Sequence, residues 1–218
     1  MVQFQILGAL NGKTSNKKRK KKVYQKKKKN YIDCNRRKNK TEKTYFQEFN
    51  KHLKNCNIVF SNGNNTDPVK IVNDAINTAE SKDIESENGD LLYAVFDTDF
   101  NKILQIETAR KLARKNDIEI ILSNPCFEIW LLLHFRYSTR GYHSNNEVLN
   151  ELCNHWPEYC KNIDSFQYLQ DRCKSAIENA RKLKKFCLEM NGTESIECCN
   201  PSTDVYKLVT DLIKTNDS

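Results

Sequence analysis

The chain has 218 residues, 38% of them hydrophobic and 29% charged, which is enough for one well-filled core and too few for two full domains. It contains no run of 18 or more apolar residues, and the opening MVQFQILGAL lacks the preceding basic segment of a secretory signal. We therefore expect a soluble, cytoplasmic protein with no membrane partner.

Nine cysteines occur at irregular spacings and none forms a CxxC pair. An odd number without paired spacing favours reduced thiols over a disulfide framework. A zinc site built from Cys153, His155, Cys160, Cys187 and the Cys198–Cys199 pair would have spacings unlike the common ligand patterns. Ordinary thiols in a reducing cytosol are the expectation.

The net charge of +8 is concentrated at the N-terminus. Residues 1–42 contain 15 Lys and Arg against two acidic residues, whereas the rest contains 21 basic and 26 acidic residues. The basic blocks at 17–22 and 26–29 repel themselves and lack apolar content, which predicts a disordered arm over residues 1–30. Such an arm can neutralise nucleic-acid phosphates independently of sequence. A solvated tail that aids solubility and, more weakly, a nuclear-localisation signal are the alternatives.

After the arm, short apolar segments that predict strands alternate with segments of helical periodicity. The predicted strands are 30–35, 57–61, 91–96 and 118–122, and the predicted helices are 43–54, 68–79 and 100–114. Asp67 is the predicted N-cap of the second helix, with Pro68 in its first turn. This alternation predicts an α/β fold with a parallel sheet of about four strands flanked by helices. Its functional edge would lie at the carboxyl ends of the strands.

Beyond Ser123 the pattern becomes helical. We predict helices at 127–135, 146–155, 164–190 and 203–214, the last begun by Pro201–Ser202. We interpret 31–218 as a single domain, in which 31–135 is the α/β core and 136–218 a helical extension that caps the sheet.

Asp97 and Asp99 follow the most apolar predicted strand and are separated by one residue. At a strand end they would point to the same side and share a hard cation such as Mg²⁺ through carboxylate oxygens. The structural alternative is that Asp97 ends the strand and Asp99 caps the next helix. The position at the functional edge favours the metal site.

Glu128 follows the fourth strand, after Pro125 restricts Asn124 to extended geometry. Its carboxylate would extend the metal site from the neighbouring strand, although the helix dipole also favours glutamate in a first turn. We expect Trp130 to belong to the core and His134 to satisfy a local hydrogen bond. No GxGxxG, Walker A, GxSxG or HExxH pattern is present, which leaves metal-assisted chemistry.

The order of the motifs resembles the RloB-like family, bacterial proteins associated with phage defence whose core resembles the Toprim nuclease fold. The resemblance covers about 170 residues and is carried by segments 40–46 (KTEKTYF), 96–99 (FDTD), 123–135 (SNPCFEIWLLLHF) and 200–206 (NPSTDVY).

This resemblance implies a Toprim-like site in which Asp97 and Asp99 bind Mg²⁺ or Mn²⁺ for the cleavage of DNA or RNA. Glu128 is a further catalytic candidate because of its position after the fourth strand. It also implies a role in abortive infection and a partner ATPase encoded nearby. The family pattern places a further catalytic glutamate just before Lys40. Residues 33–39 (DCNRRKN) contain none, and Asp33 would substitute only with a shifted strand register.

The resulting hypothesis is a Toprim-like, Mg²⁺-dependent nuclease or a degenerate relative of one. The leading alternative is a non-catalytic nucleic-acid-binding or sensing subunit, and a third is a protein-interaction module that docks through the helical half.

Overall fold

The fold is described from a computed structural model. It describes residues 41–63, 65–98, 104–159 and 165–217 in full and residues 28–34 and 103 as backbone. Helices cover most of this part of the chain and surround one sheet. Among the described helices, none combines the length and apolar character needed to cross a bilayer.

Five strands form the sheet: β1 (Lys28–Cys34), β2 (Cys56–Phe60), β3 (Leu91–Asp97), β4 (Ile118–Asn124) and β5 (Ser202–Thr203). The helices are α1 (Thr41–Lys51), α2 (Pro68–Ser81), α3 (Ile103–Arg114), α4 (Glu128–Leu133), α5 (Asn145–His155), α6 (Ser165–Leu169), α7 (Cys173–Asn191) and α8 (Val205–Asp217).

The strands lie in the order β2-β1-β3-β4-β5. Neighbours among β1 to β4 are parallel, whereas β5 runs antiparallel to β4. The prediction of about four parallel strands flanked by helices is therefore confirmed, and the added β5 makes the sheet mixed. Continuous apolar sequence in β3 and β4 fits strands that are covered on both faces.

The two faces of the sheet bury different side chains. One face, covered by α2 and α3, is mainly aliphatic and includes Ile71, Ala94 and Leu122. The other, which carries Tyr93 and Val95, packs against a core rich in aromatic residues from α1, α4 and the later helices. This second core joins both halves of the sequence.

Local signals explain where several elements begin. Asp67 caps α2 as predicted, since its Oδ1 accepts a hydrogen bond of 3.0 Å from the Lys70 amide, and Pro68 follows in the first turn. The side chain of Ser144 caps α5 in the same way. The predicted strands and helices up to residue 135 are confirmed, with ends that differ by a few residues.

Three predictions need correction. The last helix does not begin at Pro201–Ser202, because Ser202–Thr203 pair with β4 and α8 starts only at Val205. The predicted helix 164–190 is divided by a 3₁₀ turn at Gln170–Arg172. The predicted arm overlaps β1, which begins at Lys28. The remainder of the arm, residues 1–27, lies outside the described residues.

Candidate functional site

The strand order places a topological switch point between β1 and β3. The chain passes from β1 to β2 on one side of this point, whereas β3 and β4 lie on the other side. In parallel α/β sheets ligands bind outside the carboxyl ends of the strands at such a point. Asp97 is the last residue of β3 and therefore lies at this position.

The carboxyl ends of β3 and β4 are held in register beside Asp97. Asp97 pairs with Ser123, and the Thr98 amide donates a hydrogen bond of 2.9 Å to the Ser123 carbonyl. Thr98 is buried, and its hydroxyl has no hydrogen-bond partner among the described residues. Asp99, the second predicted metal ligand, lies outside the described residues.

Polar side chains fix the end of β4 and the turn into α4. The hydroxyls of Ser123 and Thr203 are 2.8 Å apart, and the Asn124 amide group donates to the Ile196 carbonyl at 2.9 Å. Both Ser123 and Asn124 are buried. The segment from β4 to Glu128 is thus anchored by residues that lie more than 70 positions later in the chain.

Glu128 is the first residue of α4 and is only 2% exposed. The Tyr159 hydroxyl donates a hydrogen bond of 3.4 Å to its Oε1. Burial raises the pKa of the Tyr159 phenol and the nearby Glu128 carboxylate raises it further, so this hydroxyl remains a proton donor at neutral pH. The structure therefore presents Glu128 as an enclosed carboxylate rather than a solvated residue.

Cys126 lies in the turn between β4 and α4 and is buried. Burial raises the pKa of its thiol well above the usual value, and the charges of the Glu128 and Asp97 carboxylates raise it further. Asp97 ends β3 in register with Ser123, and Glu128 begins α4 five residues after Ser123. Two of the three residues that the sequence predicted for the site therefore follow neighbouring strands at the same edge of the sheet.

The start of α1 adds further polar groups at the same edge of the sheet. Thr41 and Glu42 open this helix and are both buried, Glu42 being 7% exposed. The Thr41 hydroxyl is buried without a hydrogen-bond partner among the described residues. The start of α1 packs against the turn into α4 through the rings of Phe46 and Phe127, whose centroids are 6.1 Å apart.

The position expected for the additional family glutamate follows β1. In the observed register Asp33 pairs with Ala94 and Cys34 with Val95. Ala94 is three positions before Asp97 in β3. Because successive residues of a strand alternate between the two faces of the sheet, this odd offset puts the positions of Asp33 and Asp97 on different faces. The shifted register that Asp33 would need is not observed. Residues 35–40 lie outside the described residues.

Two carboxylates and a buried hydroxyl are the donors that the described residues offer to a metal ion. Oxygen ligands of this kind suit Mg²⁺, which usually takes one or two carboxylates and completes its shell with water and phosphate oxygens. Within the described ranges no three His, Cys, Asp or Glu side chains are grouped closely enough to hold a metal alone. Oxygen donors of this kind fit a partly hydrated Mg²⁺.

A comparison with protein-family models matches residues 31–212 to the model described as RloB-like protein. The chain belongs to the RloB-like family. Searches of curated proteins and of solved structures returned no match. The resemblance inferred from the four motifs is thereby confirmed at the level of the family.

Three of the four RloB-like motifs meet at the carboxyl edge of the sheet. The first opens α1 at Thr41, the second ends β3 at Asp97, and the third runs from β4 into α4. The fourth forms β5 and starts α8, where the Asp204 amide donates to the Leu122 carbonyl at 2.8 Å. This fourth motif is hydrogen-bonded to the last residues of β4.

Sequence reasoning missed Tyr159, Thr41 and Cys126 as members of the site. No local pattern marks Tyr159, whose partner is 31 residues away. The expectations for α4 are confirmed, because Trp130 is fully buried and the His134 Nδ1 hydrogen-bonds the Trp130 carbonyl at 2.9 Å.

Proposed function

We propose that this RloB-like chain is a Toprim-like nuclease, or a degenerate relative of one, that requires Mg²⁺ or Mn²⁺. The observation that carries the proposal is the position of two carboxylates at the switch point of a parallel sheet. Asp97 ends β3 in register with Ser123, and the buried Glu128 begins α4 five residues after Ser123. A metal-dependent phosphodiesterase needs this combination of an acidic cation site and a second carboxylate at the place where a phosphate can approach.

The burial of Glu128 argues against a purely local role. A first-turn glutamate that serves only the helix dipole gains its modest stabilisation at the surface, with no need for enclosure. Burying a carboxylate costs several kcal/mol unless hydrogen bonds or opposite charges compensate. Glu128 is 2% exposed and held by Tyr159, which suits a group kept for chemistry.

The residues divide the proposed task between them. Asp97 would supply oxygen ligands to the ion, together with Asp99, and Glu128 would accept or return a proton during attack on the phosphate. The bound metal would neutralise charge that develops on the phosphoryl oxygens. Tyr159 would hold the Glu128 carboxylate in place as a positioning residue.

Membership of the RloB-like family suggests the setting of this activity. We propose a role in abortive-infection defence against phage, a nucleic-acid target and a partner ATPase encoded nearby. The basic blocks before residue 30 would add affinity for phosphates that is independent of base sequence.

The second candidate is a non-catalytic nucleic-acid-binding or sensing subunit. It is favoured by the absence of a glutamate from residues 33–39, where the family pattern has a catalytic one. Glu42 offers a substitute carboxylate, since it is buried in the first turn of the helix that follows β1. Loss of metal-dependent cleavage in Glu42→Gln protein would assign it that role.

Incubation of the full chain with DNA and with tRNA, in Mg²⁺, Mn²⁺ or EDTA, tests the proposal. We expect cleavage that EDTA stops and that Asp97→Asn combined with Asp99→Asn abolishes. Asp117→Asn is the matched control, because this exposed aspartate lies at the opposite end of β4. Cleavage that persists in the double variant would overturn the site. Salt-sensitive binding without any cleavage would establish the second candidate instead.

A further inference from the structure

A cluster of rings on the helical half reaches the surface. We call it the aromatic platform and define it as Phe135, His155, Trp156, Tyr168 and Arg172. The Tyr168 ring stacks on Trp156 with centroids 4.4 Å apart and planes inclined by 6°. Phe135 stacks on His155 at 6.1 Å and 16°, and it contacts Tyr168 at 6.4 Å. The Arg172 guanidinium lies 5.0 Å from the centre of the Phe135 ring.

The outer members of the platform are open to solvent, whereas Trp156 is a buried base. Tyr168 is 51% exposed, His155 and Arg172 are also exposed, and Trp156 is 1% exposed. A tyrosine that served only to fill the core would have its ring enclosed. A half-exposed ring on a rigid buried one is instead a preformed surface for a further planar group.

The platform also carries the guanidinium of Arg172, which has no ion-pair partner among the described residues. By contrast, both Arg136 and Arg140 are paired with Glu151 on the neighbouring surface. A guanidinium that already lies over a ring can stack on a base or hold a phosphate in a bidentate manner.

Direct contacts connect the platform to the candidate site. The Trp156 ring lies 5.3 Å from that of Tyr159, and the Tyr159 hydroxyl donates to Glu128. Two ring contacts, of Tyr168 with Trp156 and of Trp156 with Tyr159, therefore connect the exposed Tyr168 with the hydroxyl that donates to Glu128.

We propose that the aromatic platform binds an unpaired base of a single-stranded nucleic acid, which stacks on Tyr168 while Arg172 contacts an adjacent phosphate. Recognition by stacking requires a base that is free of the duplex, so the substrate class is single-stranded DNA or RNA, or a loop. The inference deepens the proposed function by naming its substrate class. Binding at the platform is nevertheless measurable when no cleavage occurs.

The test uses full-length protein in EDTA and a single-stranded oligonucleotide that contains 2-aminopurine, whose fluorescence falls when the base stacks. Moderate salt weakens the contribution of the basic N-terminal blocks. We expect Tyr168→Ala to weaken binding roughly 5- to 100-fold and to restore the fluorescence, since stacking on one side chain carries that much affinity. Tyr168→Phe keeps the ring and should bind within about twofold of wild type.

Matched controls separate the platform from surface chemistry in general. Tyr137→Ala removes another exposed tyrosine, which is 40% exposed, and Arg181→Gln removes another guanidinium over a ring, 6.0 Å from Tyr206. Neither should change the signal, whereas Arg172→Gln should weaken binding and lower its salt dependence. Affinity for a blunt duplex should not respond to Tyr168→Ala.

Each outcome assigns failure to one idea. Wild-type binding and quenching in Tyr168→Ala protein would overturn the platform, even if cleavage at Asp97 were established. An equal loss for duplex and single strand would also overturn it, because stacking would not be the cause. If Tyr168→Ala lowered affinity only for single-stranded nucleic acid, and the wild-type protein never cleaved, the platform proposal would stand and the nuclease proposal would be wrong.

Discussion

Most acidic residues at the amino ends of the parallel strands are exposed, whereas Glu42 and Glu128 at the carboxyl ends are buried. Among the described residues Asp90, just before β3, is a buried exception, and Asp97 is half-buried. At the amino ends, a cavity of about 450 Å³ lies between α2, the 3₁₀ turn Ser86–Asn88 and the starts of β3 and β4. Its carboxylates, which include Glu80, Asp83 and Glu85, are exposed. At the carboxyl ends Glu128 and Glu42 are buried.

This difference shows that the volume of a cavity is a poor guide to the site here. Exposed carboxylates around an open cavity are solvated and cost little to maintain. Buried carboxylates are costly, and Glu42 and Glu128 occur at the edge where the strand order favours ligand binding. We therefore propose that function resides at the carboxyl ends of the strands.

The largest effect is expected from removing the charge of Glu128. Glu128→Gln should lower metal-dependent cleavage by about 1,000-fold, because a group that acts on the reacting phosphate contributes several kcal/mol. Glu80→Gln, at the amino ends, should leave the rate unchanged. The measurement is the single-turnover cleavage rate of both variants. Equal cleavage rates in Glu128→Gln and Glu80→Gln proteins would show that the carboxyl ends of the strands have no special role in cleavage.

The stability of the protein should also be sensitive to acid on the carboxyl side of the sheet. The group responsible is His134, at the end of the helix that Glu128 begins. Burial lowers the pKa of His134 from its usual 6.5 to about 4. The unfolded chain then binds a proton that the folded chain does not, between pH 6.5 and 4. The stability that this difference provides is complete above pH 6.5 and falls by about 3 kcal/mol as pH drops towards 4.

Urea unfolding at pH 7 and at pH 4.5 measures this dependence. His134→Gln should be destabilised at pH 7 and should lose less of its remaining stability on acidification than wild type. His143→Gln, an exposed histidine, should follow the wild-type dependence. The same loss in all three proteins would show that His134 is not the acid-sensitive group.

A smaller effect is expected from Tyr159→Phe, which removes the hydroxyl that donates to Glu128. The free energy of unfolding should fall by about 1 kcal/mol, the usual contribution of one buried hydrogen bond. Tyr137→Phe, at an exposed ring, should change it by less than about 0.5 kcal/mol. Chemical denaturation provides both values, and equal stability of the two variants would count against this hydrogen bond.

The smallest effect is expected at the amino ends and should be favourable. Asp83 borders the cavity and has a φ of 50°, a conformation that glycine adopts without steric cost. Asp83→Gly should raise the free energy of unfolding by up to about 1 kcal/mol, whereas Asp83→Ala should lower it. Cleavage should be the same in both. Loss of cleavage in either variant would indicate that the active site lies at the amino-end cavity instead.

Local sequence determined most of the helices and strands and the positions of two candidate site residues. The apolar runs of β3 and β4, the cap at Asp67 and the alternation of strand and helix are encoded within windows of a few residues, where sterics and hydrogen bonds act directly. Asp97 was found because it directly follows such a run. Glu128 was found because it directly follows the next strand.

The tertiary structure decided which distant segments contact these residues. The register of β5 against β4, the hydrogen bond from Tyr159 to Glu128 and the stacking of Tyr168 on Trp156 depend on packing between segments that are distant in sequence or separated by turns. Ser202–Thr203 formed a strand despite a helical signal, because pairing with a buried strand edge satisfies backbone groups that local propensity cannot. The sequence by itself therefore determined which carboxylates follow which strands, and packing alone decided that Glu128 is enclosed while Asp97 stays half-buried.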